Sequence, residues 1–375
     1  MMKFGSCAMD ICEPCQGGNT AALSRTVHVP QGCLAEPAGE YRVGVPTKTG
    51  YAAFCVAEAR ITYTSPIKKR QNQKAAERSG MGCRLCPREC NADRENGQKG
   101  YCKETSSLRV ARAALHMWEE PCISGDTGSG TVFFSGCPLH CIFCQNSAIS
   151  ESAAGKTITP KRLAEIFLEL QEKGACNINL VTPTHFVPQI VSALRAAKTD
   201  GLSLPIVYNT GGYEKVKTLR LLEGLVDIYL PDCKYVSTRL STRYSNAPDY
   251  FSTASAAIAE MFRQVGRPVF DEETGLMKRG LIVRHLLLPG HLADSKKVMD
   301  YLYQTYHDTI YISIMNQYTP MRIFSDMPEL NRRVSHKEYN ALVDYCLSIG
   351  IENGFIQEGE TASESFVPPF DLEGV

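Results

Sequence analysis

Short runs of apolar residues alternate, from about residue 126 onward, with longer segments in which apolar residues recur every three or four positions. Such runs are typical of buried strands, and the three-to-four spacing is typical of amphipathic helices. Strands that alternate with helices predict parallel βα units. The predicted strands span residues 131–134, 177–182, 205–209, 226–230, 281–288 and 310–315.

The helical segments between these strands carry start and stop signals. In the clearest one, Thr159 suits the N-cap, Pro160 suits the first turn and Gly174 ends the apolar period. The other predicted helices span residues 187–198, 213–224, 254–265, 294–306 and 335–349. Six strands with helices outside predict a partial (β/α)6 barrel of the TIM type, whose functional residues follow the carboxyl ends of the strands.

The rest of the chain has different patterns. Residues 1–79 are rich in Gly, Pro and polar residues, which predicts an N-terminal extension of low or partial order. Residues 80–125 are predicted to form a small cysteine-rich metal-binding module, residues 126–350 the barrel, and residues 351–375 a C-terminal tail. A chain of 375 residues can bury one large core with appendages.

Charge and hydropathy give no indication of a nucleic-acid or membrane partner, although a local basic groove is compatible with the balanced charge. Forty basic residues balance forty acidic ones, so bulk electrostatics indicate neither nucleic acid nor an anionic membrane surface. No apolar run is long enough to span a bilayer, and the first residues lack the pattern of a secretory signal. We therefore predict a cytoplasmic protein without a membrane partner.

The sixteen cysteines are the most informative residues. In a reducing compartment, clustered thiols are more often metal ligands than disulfide partners. Isolated cysteines are expected to be small buried hydrophobic residues; these are Cys122, Cys176, Cys233 and Cys346. Three cysteines of the extension could bind a metal but lack a fourth partner; these are Cys7, Cys12 and Cys15.

The stretch "SGCPLHCIFCQN", residues 135–146, places Cys137, Cys141 and Cys144 directly after the first predicted strand. A four-iron cluster needs a ligand for each iron, so three cysteines hold three corners and leave one iron open to another molecule. A zinc site that borrows His140 as its fourth ligand, or unligated core cysteines, are the alternatives.

"GCPLHCIFCQN" resembles the cluster loop of the radical S-adenosylmethionine superfamily. The resemblance extends over about residues 81–349, includes "VTPTHF", and is closest to the pyruvate formate-lyase activating-enzyme-like branch. It implies a [4Fe-4S] cluster on Cys137, Cys141 and Cys144, with S-adenosylmethionine chelating the open iron and Phe143 near its adenine. Reductive cleavage would yield a 5'-deoxyadenosyl radical that abstracts a hydrogen atom.

The resemblance also implies partners. The cluster needs an electron donor such as flavodoxin or ferredoxin, and the target of the radical is expected to be a glycine of a partner glycyl-radical enzyme. Modification of a small molecule or a nucleic acid is the alternative within the same chemistry. From a different class comes a zinc-binding interaction module without catalysis.

Residues after the later strands are candidates for cofactor binding. Activating enzymes carry a Gly-Gly-Glu segment for the amino group of the cofactor, where this chain has Thr182, Pro183 and Thr184. For His185, packing and cofactor contact remain equal alternatives. Asn209, which ends the third predicted strand, could bind ribose hydroxyls.

Three charged residues near strand ends complete this set. Asp232 and Lys234 stand two apart and therefore on one side of an extended segment, and the resemblance assigns such a pair to the cofactor or the target peptide. Arg284 interrupts an apolar strand and needs an anionic partner. The cofactor carboxylate is the expected partner, with Asp227 as the alternative, and His285 is expected to be structural.

A second group of thiols precedes the barrel. Its segment "CPRECNADRENGQKGYC" has almost no apolar residues to bury, so it needs a metal to fold. Four thiols allow either a second iron-sulfur cluster that relays electrons or a structural zinc site. The four residues are Cys83, Cys86, Cys90 and Cys102.

Overall fold

A computed structural model describes residues 82–151, 154–357 and 367–375. These residues belong to one compact unit, Glu77–Val375. The predicted extension, with Cys7, Cys12 and Cys15, lies outside the described residues.

The described residues form ten strands. Their bounds are β1 (Arg109–His116), β2 (Ser129–Phe134), β3 (Lys156–Thr157), β4 (Ile178–Val181), β5 (Ile206–Thr210), β6 (Ile228–Pro231), β7 (Val269–Phe270), β8 (Met277–Leu286), β9 (Tyr311–Met315) and β10 (Gly354–Ile356). All six predicted strands are present as β2, β4, β5, β6, β8 and β9, with ends that differ by a few residues. The strands β1 and β10 are additions that the apolar pattern did not reveal.

The α-helices within the described residues lie mostly between the parallel strands. Their bounds are α1 (Pro121–Ser124), α2 (Ser147–Ser150), α3 (Pro160–Glu172), α4 (Val187–Thr199), α5 (Val216–Leu219), α6 (Thr238–Ser245), α7 (Tyr250–Val265), α8 (Leu292–Tyr306) and α9 (His336–Ser348). The Thr159 hydroxyl accepts from the Arg162 amide, which confirms the predicted cap of α3. The predicted helix over 213–224 is shorter, because only α5 and a 3-10 turn at Arg220–Leu222 form there.

The strand order decides the architecture. The sheet runs β10-β9-β8-β6-β5-β4-β2-β1-β3, and neighbours from β2 to β10 are parallel. The parallel strands follow each other in space in the same order as in the sequence, so their order never reverses as it does in a doubly wound sheet. This arrangement confirms the predicted partial (β/α)6 barrel.

The main core lies between the sheet and the surrounding helices. Leu180 of β4 and Leu281 of β8 are fully buried there, together with Phe167 of α3 and Leu194 of α4. A second core of aromatic residues lies beyond the carboxyl ends of the strands and includes Tyr244. Loops on that side of the sheet are therefore held by packing as well as by their connections to the strands.

The edge of the sheet at β1 is partly covered by the end of the chain. The Ala113 amide donates to the Glu373 carbonyl at 2.8 Å, and the Leu372 amide donates to the Ala111 carbonyl at 3.2 Å. Arg112 adds ion pairs to acidic residues of the same segment. The last part of the predicted cysteine-rich module is thus a strand of the sheet, and the predicted tail packs against it.

Candidate functional site

A cavity of about 190 Å³, open to solvent, lies at the carboxyl ends of the parallel strands. The loops after β2, β4, β5 and β6 surround it, and Leu286 of β8 and Met315 of β9 complete its wall. Nine residues predicted to bind the cluster or the cofactor line this one cavity: Cys137, Cys141, Phe143, Cys144, Thr182, Thr184, Asn209, Asp232 and Lys234. The barrel therefore brings together residues that are spread over about a hundred positions of the sequence.

The three-cysteine loop is fixed at its start by a glycine. Gly136 has φ +82, and a Cβ atom there would lie 2.5 Å from the Cys102 carbonyl oxygen. A larger residue would therefore meet both backbone strain and a steric clash. The Ser135 carbonyl next to it accepts a hydrogen bond of 2.7 Å from His185 Nε2. The loop leaves β2 in a defined direction as a result.

The thiols of this loop are poor acids unless a metal binds them. Burial and the neighbouring thiols raise the pKa of Cys137 to about 12 and that of Cys144 to about 11. Burial also raises the pKa of Cys141. A metal replaces the protons, because thiolates are the ligand form of cysteine. Three thiols facing one cavity fit the donor set of an iron-sulfur cluster.

Phe143 stands in the cavity wall. Its ring makes edge-to-face contacts with Tyr244 at 6.4 Å and Tyr318 at 6.2 Å between centroids. The Gln145 amide donates to the Gln317 carbonyl at 2.7 Å and ties the end of the loop to the segment after β9. The ring of Phe143 is thus held by its two aromatic neighbours and by the hydrogen bond that fixes the end of its loop.

Asp232 and Lys234 form an ion pair in the cavity wall, with side chains that are mostly buried. Burial alone would lower the pKa of Lys234, but the Asp232 carboxylate and the Cys141 thiolate outweigh it and raise the pKa. The ammonium therefore stays charged beside the cluster loop. The pair gives the cavity one positive and one negative group.

The turn after β4 has an unusual backbone. Thr182 adopts φ +57, which is rare for a β-branched residue and marks a turn held by its surroundings. Its amide donates to the Asn209 carbonyl at 2.9 Å, which joins the ends of β4 and β5. Thr182 and Thr184 line the cavity, whereas Pro183 starts a 3-10 turn and is absent from the lining.

A buried carboxylate behind this turn was not predicted. Glu214 is 1% exposed and accepts hydrogen bonds from the hydroxyls of Thr184, at 2.5 Å, and Thr210. Burial raises the pKa of Glu214 to about 7 in spite of these donors. Both hydroxyls belong to residues of the cavity wall. The sequence signal was present, since an acid two residues after a Gly-Gly pair at a strand end suits a site.

Arg284 is the residue whose predicted partner was wrong. Its guanidinium binds the carboxylates of Glu119 and Glu120, with Nε donating to Glu120 at 2.8 Å, and Arg284 is not part of the cavity lining. Two anions already satisfy this buried cation, so a cofactor carboxylate is not needed. Asp227, the alternative partner, instead accepts from the Ile206 amide.

The two buried histidines are structural. His185 and His285 each bond a backbone carbonyl, and both are absent from the cavity lining. Burial lowers the pKa of His185 to about 3 and that of His285 to about 4. For His185 the structure shows backbone hydrogen bonding, and the contact of His285 with the Cys233 carbonyl is of the same kind.

The four-cysteine module is a loop-rich segment with little regular structure. Cys86 and Cys102 are buried, and Cys83 and Cys90 are partly exposed. A Cβ atom on Gly100 would lie 3.3 Å from the sulfurs of both Cys90 and Cys102, so glycine leaves the space between them open. The four thiols are candidates for a second metal group on this evidence of space and donor type.

The module packs directly on the three-cysteine loop. The Cys137 amide donates to the Cys102 carbonyl at 3.3 Å, and His140 Nε2 lies 2.9 Å from the Tyr101 carbonyl. Arg88 donates to the Pro138 carbonyl at 2.8 Å, and its guanidinium lies over the Tyr101 ring. The two sets of thiols are thus connected through one backbone hydrogen bond.

Comparisons with known proteins address the cluster. A family model described as a 4Fe-4S single cluster domain matches residues 123–239, which include the three-cysteine loop. An uncharacterized protein of Methanocaldococcus jannaschii is 29% identical over 288 residues, which cover 74% of this chain and 78% of that protein. No helix of the described residues is long and apolar enough to cross a bilayer.

Solved structures give looser similarities. SuiB of Streptococcus suis bound to S-adenosylmethionine aligns with a TM-score of 0.41 and 14% identity over 60% of this chain and 49% of that chain. Methylornithine synthase (PylB) aligns with a TM-score of 0.42 and 14% identity over 63% of each chain. This chain spans about half of SuiB, and its fold follows from its own strand order.

The family match supports the predicted [4Fe-4S] cluster in this part of the chain. The narrower activating-enzyme branch has no support from these comparisons.

Proposed function

We infer that this chain is a radical S-adenosylmethionine enzyme, an iron-sulfur oxidoreductase with its cluster on Cys137, Cys141 and Cys144. The observation that carries this inference is the single cavity in which these thiols face Asp232 and Lys234. When bound, the cluster and S-adenosylmethionine supply one-electron cleavage of the sulfonium and hydrogen-atom abstraction from a substrate.

The residues around the cavity suit the parts of that cofactor. The hydroxyls and backbone carbonyls at Thr182 and Thr184 are acceptors for an ammonium group, and Asn209 can bond ribose hydroxyls. Lys234 provides a cation for a carboxylate, and Asp232 keeps that cation charged. Phe143 offers an aromatic face to the adenine. Arg284 has no part in this proposal, because its partners are Glu119 and Glu120.

The four-cysteine module is proposed to bind a second iron-sulfur cluster that passes electrons from flavodoxin or ferredoxin. The hydrogen bond between the Cys102 carbonyl and the Cys137 amide supports this role, since it places the two ligand sets next to each other. Structural zinc remains the alternative. Metal analysis of the purified protein distinguishes them, because zinc would be retained and colourless.

For the substrate we propose a glycine of a partner protein. Lys234 is the single lysine or arginine in the described cavity lining, and the negative charge of Asp232 balances its positive charge. A neutral cavity suits a peptide loop better than a nucleic acid, which would require several free cations. Pyruvate formate-lyase is the first probe, and a glycyl-radical signal in electron paramagnetic resonance is the expected result. Formation of 5'-deoxyadenosine without that signal would favour a small-molecule substrate.

The central experiment compares two triple variants in anaerobic protein. Replacing Cys137, Cys141 and Cys144 by Ser should remove one cluster, about four irons, and all cleavage of S-adenosylmethionine. The control replaces Cys122, Cys176 and Cys346 by Ser. These residues belong to neither thiol set, so the control should keep both the cluster and the cleavage of S-adenosylmethionine. Cleavage that survives the first triple change would refute the proposal, and zinc without iron in the wild type would favour the interaction module.

A further inference from the structure

A chain of two buried hydroxyls reaches one of the three loop sulfurs. Ser245 Oγ donates to Cys141 Sγ at 3.0 Å, and Tyr235 Oη lies 3.1 Å from Ser245 Oγ. Ser245 is fully buried and Tyr235 is 1% exposed, so water does not compete with either contact. A short contact to a sulfur in a dry site is stronger than the same contact at the surface.

The direction of the hydrogen bonds follows from the donors available. A thiolate bound to iron can only accept, and a serine hydroxyl has one proton to give. When Ser245 donates to Cys141, Tyr235 must therefore donate to Ser245. This second bond polarises the serine hydroxyl and strengthens its bond to the sulfur.

The position of Ser245 is fixed by the backbone around it. It is the last residue of α6, and Asn246 ends that helix in a left-handed conformation with φ 46. The Arg88 guanidinium donates to the Ser245 carbonyl at 2.9 Å from the four-cysteine module. The helix end and the Arg88 hydrogen bond together orient the Ser245 hydroxyl toward Cys141, although the two residues are 104 positions apart in the sequence.

We propose that Ser245, oriented by Tyr235, sets the reduction potential of the cluster by donating a hydrogen bond to Cys141. Reduction adds negative charge that spreads onto the thiolate sulfurs, and a donor stabilises the reduced form more than the oxidised form. Both residues are positioning residues, because they act through a ligand and not on the reacting atoms. This inference rests on the cluster of the proposed function.

The test measures the midpoint potential of the cluster on Cys137, Cys141 and Cys144, and not the turnover of the enzyme. Cluster-loaded full-length protein is titrated with dithionite under argon, and the reduced cluster is followed by electron paramagnetic resonance. Ser245→Ala should shift the midpoint to a more negative potential at unchanged iron content. Tyr235→Phe, which keeps the ring and removes the second hydroxyl, should shift it in the same direction by less.

Ser241→Ala is the matched control. Ser241 is buried on the same helix one turn earlier, and its hydroxyl donates to the Thr238 carbonyl rather than to a sulfur. It should leave the midpoint at the wild-type value. A wild-type midpoint in Ser245→Ala, or an equal shift in Ser241→Ala, would overturn the inference while the proposed function stands. If Ser245→Ala fails to fold, Tyr235→Phe alone decides by the same criterion. A wild type without a cluster would overturn both.

Discussion

Arg88 connects the four-cysteine module to the cluster loop, and its removal is the most direct probe of that connection. The guanidinium donates to the Pro138 and Ser245 carbonyls at 2.8 and 2.9 Å, and also to the Asn246 carbonyl. It lies 4.2 Å from the ring centroid of Tyr101. Arg88→Ala removes all of these contacts at once and leaves three carbonyls without their donor.

The size of the effect follows from those contacts. A hydrogen bond from a charged donor contributes roughly 1.5–3 kcal/mol, and a cation over an exposed ring roughly 0.5–1 kcal/mol. Contacts that share one half-buried group do not add, so we expect the free energy of unfolding to fall by about 3 kcal/mol. At an m-value of about 3 kcal/mol/M, the urea midpoint falls by about 1 M.

The assay is urea unfolding of the cluster-loaded protein under argon, with iron content measured beside it. Arg84→Ala is the control, because Arg84 belongs to the same module and its side chain makes one exposed hydrogen bond, to Asn91. It should change stability by no more than about 0.5 kcal/mol. If Arg88→Ala unfolds at the same urea concentration as Arg84→Ala and retains all iron, the module does not hold the loop as described.

Three further predictions concern the cavity and its supports. Gly136→Ala should lose iron and at least about 1 kcal/mol of stability. Gly174 has the same φ of +82, but a Cβ atom there would have no neighbour within 4 Å, so Gly174→Ala should lose stability and keep its iron. Equal iron loss in both variants would contradict this prediction. The raised pKa of Glu214 means that its folded form binds a proton more tightly than its unfolded form, so stability falls as pH rises from about 4.5 to about 7. Gln cannot ionise, so the free energy of unfolding of Glu214→Gln should rise by roughly 3 kcal/mol relative to that of the wild type between pH 4.5 and pH 8. Urea unfolding at both pH values measures this difference. A difference between the two proteins that does not change with pH would refute the burial argument. Asp232→Asn removes the partner that keeps Lys234 charged, and should weaken S-adenosylmethionine binding by roughly tenfold or more in equilibrium dialysis of cluster-loaded protein; an unchanged affinity would place the pair outside the cofactor site.

The sequence predicted the barrel strands because each is a short apolar run between turn residues. It did not predict β1, because Arg109 and Arg112 interrupt its apolar pattern and the segment follows the cysteine module closely. The helix predicted over 213–224 is reduced to α5 and a 3-10 turn. Glu214 at its start binds back to the cavity wall, which competes with helix formation at that end.

The candidate site divides in the same way. Asn209 lies near the end of β5 and Asp232 directly follows β6, so their position in the sequence was enough to place them at one end of the barrel. The partners of Arg284 could not be predicted from the sequence, because Glu119 and Glu120 lie more than 160 positions before it. Ser245 belongs to no recognisable motif. Its role as a hydrogen-bond donor is visible only in the structure, where the end of α6 lies against Cys141.

The order in which the ribosome delivers these residues has a consequence for cluster assembly. All seven candidate thiols, from Cys83 to Cys144, are synthesised about 100–160 residues before Ser245 and Asn246, whose carbonyls Arg88 binds. At roughly 5–20 residues per second, about 5–30 seconds pass before these two residues are synthesised and can cover the thiols. During this interval they are open to oxygen and to stray metal ions, so expression under low oxygen with ample iron and sulfide should favour correctly loaded protein.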